Sequence, residues 1–185
     1  MKFEVHITVD SQDFNRWKEL CEKLGLNPLW IKNSKGWYDQ QMLCAVDYKG
    51  SFLGVKNYIR ELVKDIREAK FKVVREKIEC QFRQWPSSLY NECHIKIRLP
   101  EGENNAMLAF CESHSISPSW SLVHNVPGER KWYLTVRDHG LDARGAGLKF
   151  AKAIRAVGDR FGKPSGVEVE TAIFDTNEEL DKGWA

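Results

Sequence analysis

The chain has 185 residues, 42% hydrophobic and 29% charged, enough apolar material to bury a core as one domain or as two small ones. Its 28 Lys and Arg against 26 Asp and Glu leave a formal charge of +2, which excludes the strong field that non-specific binding to nucleic acid or an anionic membrane requires. The five cysteines lack C-x-x-C spacing and lie in apolar runs, so they read as small buried hydrophobes of a reducing cytoplasm; neither a leader nor a membrane span is expected.

Residues 3 to 9 alternate strictly, with Phe3, Val5, Ile7 and Val9 on one face and Glu4, His6 and Thr8 on the other, the period of a half-buried strand. Asp10 to Asp13 then form a cap-like cluster before Phe14, Trp17, Leu20, Cys21 and Leu24, whose three-and-four spacing predicts an amphipathic helix ended by Gly25. A short strand follows over Leu29 to Lys32, a turn over Asn33 to Gly36, and a third strand over Met42 to Val46. Tyr58, Ile59, Leu62, Val63 and Ile66 share one face of a second helix, and Phe71 to Phe82 reads as the closing strand.

The same order then returns. Glu4-Val5-His6-Ile7-Thr8-Val9 reappears as Glu92-Cys93-His94-Ile95-Lys96-Ile97, Leu20-Cys21-Glu22 as Phe110-Cys111-Glu112, and Trp30 as Trp120. Helices are predicted over Ala106 to Ser113 and Leu148 to Phe161, and strands over Trp132 to Arg137 and Val167 to Phe174. The expected fold is therefore α+β, a tandem duplication of a ferredoxin-like β-α-β-β-α-β unit, with two antiparallel sheets and helices on one face of each. Its parts would be a first unit 1–84, a linker 85–90, a second unit 91–175 and a C-terminal tail 176–185, whose terminal aromatic, Trp184, is expected to dock on its own domain.

Residues two apart on a strand share a face, so the sheet face away from the helices should carry Glu4, His6 and Thr8 in one unit and Glu92, His94, Lys96 and Arg98 in the other. The last strands add Lys77 and Glu79, and Glu168 and Glu170; the third strands add Leu43, Ala45 and Asp47 against Tyr133, Thr135 and Arg137. This parity places Glu79 beside His6 and Glu170 beside His94 as orienting carboxylates, which would fix an imidazole tautomer and raise its pKa. Two imidazoles facing across a cleft between the units can act as general base and general acid on a phosphodiester. Thr8 and Lys96 would then hold its non-bridging oxygens, and Arg98, Tyr133, Thr135, Arg137 and Lys77 would line the substrate site.

On His6-Ile7-Thr8 and its partner His94-Ile95-Lys96, the chain resembles the two-histidine phosphoesterases, whose two lobes each carry an H-x-[ST] strand motif; lysine replaces the hydroxyl in the second copy. The resemblance implies a phosphate-containing ligand, a nucleotide or RNA end, and metal-independent cleavage by His6 and His94 with no cofactor. The competing expectation is a non-catalytic module that uses the open sheet faces for a protein partner or self-association. A third assigns Glu4, Glu79, Glu92, Glu170, His6 and His94 to a divalent cation. Trp37, in an apparent loop, is a candidate lid or base-stacking residue, and the glycines between Asp138 and Lys149 match no phosphate-loop spacing and are expected to serve a turn.

Overall fold

In the computed structural model the alternation of the opening strand is fully realised: Phe3, Val5, Ile7 and Val9 are buried against helices, while Glu4, His6 and Thr8 face the other way. Residues 1–34, 39–82, 88–123, 126–140 and 142–181 are described. The first half runs β1 (Lys2–Asp10), α1 (Phe14–Leu24), β2 (Asn27–Asn33), β3 (Gln40–Lys49), α2 (Phe52–Glu68) and β4 (Lys72–Gln81). The second runs β5 (Tyr90–Pro100), α3 (Asn104–Ser113), β6 (Ser117–Ser121), β7 (Glu129–Asp138), α4 (Ala143–Phe161) and β8 (Gly166–Asp175), and a short 3-10 turn, Glu178–Asp181, follows.

α1, α2 and α4 begin where side chains satisfy their first free N–H groups. Asp13, Ser51 and Asp142 accept from the backbone N–H of Arg16, Gly54 and Gly145, and Gly25 ends α1 at φ +69°, a conformation that favours glycine. The bond to Asp142 places Gly145 in the first turn of α4, so that glycine serves helix initiation. Trp17 and Cys21 of α1 and Val55, Ile59, Leu62, Val63 and Ile66 of α2 pack on the outer face of β1, β3 and β4. Burying each large apolar side chain contributes roughly 1.5–3 kcal/mol. Met107, Cys111, Ala146, Phe150 and Val157 of α3 and α4 form a second cluster over β5 and β7.

The expected pair of separate sheets is corrected. Among the described residues, eight strands join one closed antiparallel barrel in the order β1-β3-β2-β6-β7-β5-β8-β4, with four helices outside, in place of a two-sheet tandem ferredoxin-like duplication. The reason is the fate of the edges. In separate units β2 and β4 would each leave a row of unpaired backbone groups, as would β6 and β8. Here β2 pairs with β6 through Ile31, Lys32 and Asn33, and β4 pairs with β8 through Lys77 to Gln81, so no edge remains among the described strands. Strand periodicity encodes which face is buried and carries no information about which edges meet.

Closure also decides the surroundings of the predicted open faces. They become the barrel interior. All five cysteines are free and buried, and among the described residues no helix is long and apolar enough to cross a membrane.

Candidate functional site inside the barrel

A cavity of about 160 Å³ lies within the barrel, between two walls of unlike chemistry. Leu29 and Ile31 of β2, Leu43 of β3 and Ser119 of β6 make one wall apolar or small, with Tyr133 of β7 beside them. The other wall carries charge from β1, β4, β5 and β8: Glu4 and His6, Arg75, Lys77 and Glu79, Glu92, His94 and Lys96, and Glu168 and Glu170.

Both histidines line this one cavity. His6 Nε2 lies 3.0 Å from Glu79 and 3.5 Å from Glu4. His94 Nε2 lies 3.5 Å from Glu92, and its Nδ1 lies 3.0 Å from the Thr135 hydroxyl. The expected pairing of His94 with Glu170 is corrected: the β5–β8 register sets His94 opposite Glu168 and Glu170 opposite Glu92, so Glu92 is the carboxylate at the ring.

Lys77 sits at the centre, its ammonium 2.8 Å from Glu79 and 2.5 Å from Glu92. Arg137 binds Glu92 at 2.6 Å, and Lys96 binds Glu168 at 2.5 Å. Thr8 and Thr135 are buried in the lining, whereas Arg98 is exposed and lies outside it. Trp37 falls outside the described residues, as do Arg83 to Ser87 of the inter-unit stretch and Trp184 of the tail.

Four further residues, Arg75, Tyr90, Asp175 and Asp181, complete the site. Arg75 binds Asp175 at 2.5 Å and Asp181 at 2.8 Å, and the Tyr90 hydroxyl donates to Asp175 at 2.5 Å. Arg137 also reaches Asp181 at 2.6 Å and stacks on the Tyr90 ring at 4.4 Å. Arg75 and Tyr90 were legible, since each lies two residues from a predicted inward residue. Asp175 was hidden by a bulge: β4 and β8 pair Ile78 with Phe174 but Glu79 with Ala172, and the extra residue, Ile173, swings Asp175 into the barrel. Asp181 arrives from the tail, whose 3-10 turn buries both Leu180 and Asp181 at one end of the barrel.

Electrostatics divide the carboxyl groups. Burial pushes Glu79 upward, but the Lys77 ammonium and the His6 ring outweigh it and hold its pKa to about 2. Glu92 is likewise opposed by burial yet held well below the usual range by Lys77 and Arg137. Glu170 goes the other way, to about 8, because burial and the charges of Glu79 and Glu4 both favour its protonated form. Burial lowers His94, but the adjoining Glu92, with Glu79 behind it, raises it on balance. The cavity thus holds a proton-retaining carboxyl, ionised carboxylates and an imidazole, the range of groups that acid–base chemistry uses.

Glu79, Glu92 and His94 bring ligand atoms within 4.8 Å of one another, close enough to share a metal ion. The Lys77 ammonium already bridges the two carboxylates, so a cation of the protein's own holds that position.

The basis for phosphoesterase or nucleotide chemistry is corrected by the same geometry. The chain forms one closed barrel where the two-histidine resemblance implies two lobes. The lining carries six carboxyl groups against four Lys and Arg, and each of those four cations is ion-paired within the barrel. About 160 Å³ also falls below the roughly 300 Å³ at which pockets begin to enclose drug-sized ligands.

No family model matches the chain, and no curated protein matches it. Among solved structures it is similar over 94% of its length to the acetolactate synthase small subunit of Thermotoga maritima, covering 95% of that chain at 13% identity and a TM-score of 0.31. It is similar over 100% of its length to a "putative monooxygenase" of Fusobacterium nucleatum subsp. nucleatum, covering 95% of that chain at 12% identity and a TM-score of 0.35. Likenesses this distant carry neither fold nor function to this chain.

Proposed function

We propose that the protein is a small-molecule-binding barrel that takes an amphipathic ligand into its interior and can exchange a proton with it. The observation that carries this is the two-sided cavity itself: an apolar wall at Leu29, Ile31 and Leu43 faces a polar wall where both histidines meet carboxylates. A pocket that is partly apolar with a few convergent titratable groups is the usual form of a ligand site. Packing alone does not call for such a wall, since buried ion pairs are often no more stabilising than apolar residues of the same volume. His94 and Glu170 are the groups placed to accept or return a proton. With five free, buried cysteines, the cytoplasm is the compartment this reading assigns.

The test is a fragment screen by ligand-observed NMR on the wild-type protein and on Leu43→Trp, which fills the cavity from its apolar side. Amphipathic fragments should bind the wild type and lose binding in Leu43→Trp while its folded spectrum persists. Fragment binding that is the same in both proteins, or absent in the wild type, would remove the interior as the binding site.

A further inference from the structure

The cavity lining holds more carboxyl groups than cations. Glu79 is fully buried there, with Lys77 at 2.8 Å from one oxygen and His6 at 3.0 Å from the other. Glu170 lines the cavity too and has no ion pair among the described residues, while Lys77 is turned to Glu79 and Glu92, and Lys96 to Glu168. Glu4, paired in register with Glu79, completes the acidic shelf and lies 3.5 Å from His6.

The same residues border a second pocket. It is lined by Glu4, Asp47, Glu168 and Glu170 together with Lys2, Phe3, Cys80, Gln81 and Val169, and it shares Glu4, Glu168 and Glu170 with the interior cavity. Acidic walls concentrate and steer cations. Across the cavity, Leu29, Ile31 and Leu43 offer an apolar surface without charge.

We infer that the ligand is a small organic amine, its ammonium donating to Glu79 and Glu170 and its apolar body lying on Leu29, Ile31 and Leu43. This deepens the interior-binding assignment above and rests on it. An ammonium has three donors, enough to reach Glu170 and Glu79 together, and a charge-assisted bond to a buried carboxylate is strong. The proton held by Glu170 fits the same picture. Burial, Glu79 and Glu4 keep it on, with His94 and Lys77 opposing, and an arriving ammonium takes its place. Binding then releases that proton to solvent.

The experiment compares benzylamine, benzyl alcohol and benzoate, one apolar body with cationic, neutral and anionic heads, by isothermal titration calorimetry in two buffers of different ionisation enthalpy at neutral pH with EDTA present. Benzylamine should bind at least about tenfold more tightly than benzyl alcohol, benzoate should not bind, and benzylamine should release a fraction of a proton. Glu170→Gln should weaken benzylamine by about tenfold and abolish the proton release. Because Glu79→Gln perturbs the buried Lys77 pair and can unfold the protein, the nearly isosteric Glu170→Gln is the deciding variant. Equal or tighter binding of the alcohol or benzoate overturns the amine while leaving the interior site standing. Failure of all three to bind also overturns it, and the fragment screen with Leu43→Trp then decides the interior site separately. Unchanged proton release in Glu170→Gln overturns it as well.

Discussion

The Arg75 guanidinium meets the Asp181 carboxylate at 2.8 Å, tying the fourth strand of the barrel to a 3-10 turn that begins three residues after the last strand ends. Arg137 shares that carboxylate at 2.6 Å. One tail residue thus neutralises part of two buried cations from opposite halves of the chain.

Asp181→Asn should therefore destabilise the fold by about 3 kcal/mol, the low end for breaking a buried ion pair, because Asp175 still holds Arg75 and Glu92 still holds Arg137. Urea denaturation measures it. A loss under half a kcal/mol would mean that the tail does not dock as described.

Lys77→Met should cost more, about 3–5 kcal/mol, since it leaves Glu79 and Glu92 buried together without the ammonium that bridges them. Adding Glu79→Gln and Glu92→Gln to the same protein should restore much of the loss, which a purely steric role for the lysine would not produce.

The carboxyl groups predict opposite pH dependences. Glu170 has a folded pKa raised from 4.5 to about 8, so its contribution is fully present below pH 4.5 and is lost as pH rises through 8. Glu79 is lowered from 4.5 to about 2, so its contribution is present above pH 4.5 and is lost as pH falls toward 2. Urea midpoints of Glu170→Gln against wild type should show the variant gaining relative stability as pH rises from 4.5 to 8. A constant difference across that window would contradict the assignment.

His94 should titrate above its ordinary value of 6.5 in a two-dimensional NMR pH series, and Glu92→Gln should lower it. The stability it contributes is present below 6.5 and lost as pH rises through its raised pKa. An unchanged His94 titration in Glu92→Gln would remove Glu92 as its partner.

Sequence periodicity carried much of the local structure and part of the site. Alternation in Glu4-Val5-His6-Ile7-Thr8 and in its second copy places both histidines on one face, and the parity of Lys77 and Glu79 follows from Ile78 and Cys80 being apolar. The barrel was not legible, because Ile31 meeting Ser121 and Glu79 meeting Ala172 are long-range edge pairings with no local signature. The extra residue Ile173 reversed the parity that would have pointed Asp175 outward, and Asp181 reaches the interior from a segment with no strand pattern at all. What failed was the inference from an open face to a cleft between lobes, since the same faces became the inside of a barrel.

The most direct measurement is a crystal structure of the protein soaked with benzylamine. The account predicts one closed eight-stranded barrel with His6 and His94 lining a single cavity, and ligand density between Leu43 and the carboxyl groups of Glu79 and Glu170. Two separate open sheets, or benzylamine bound only outside an empty barrel, would contradict it.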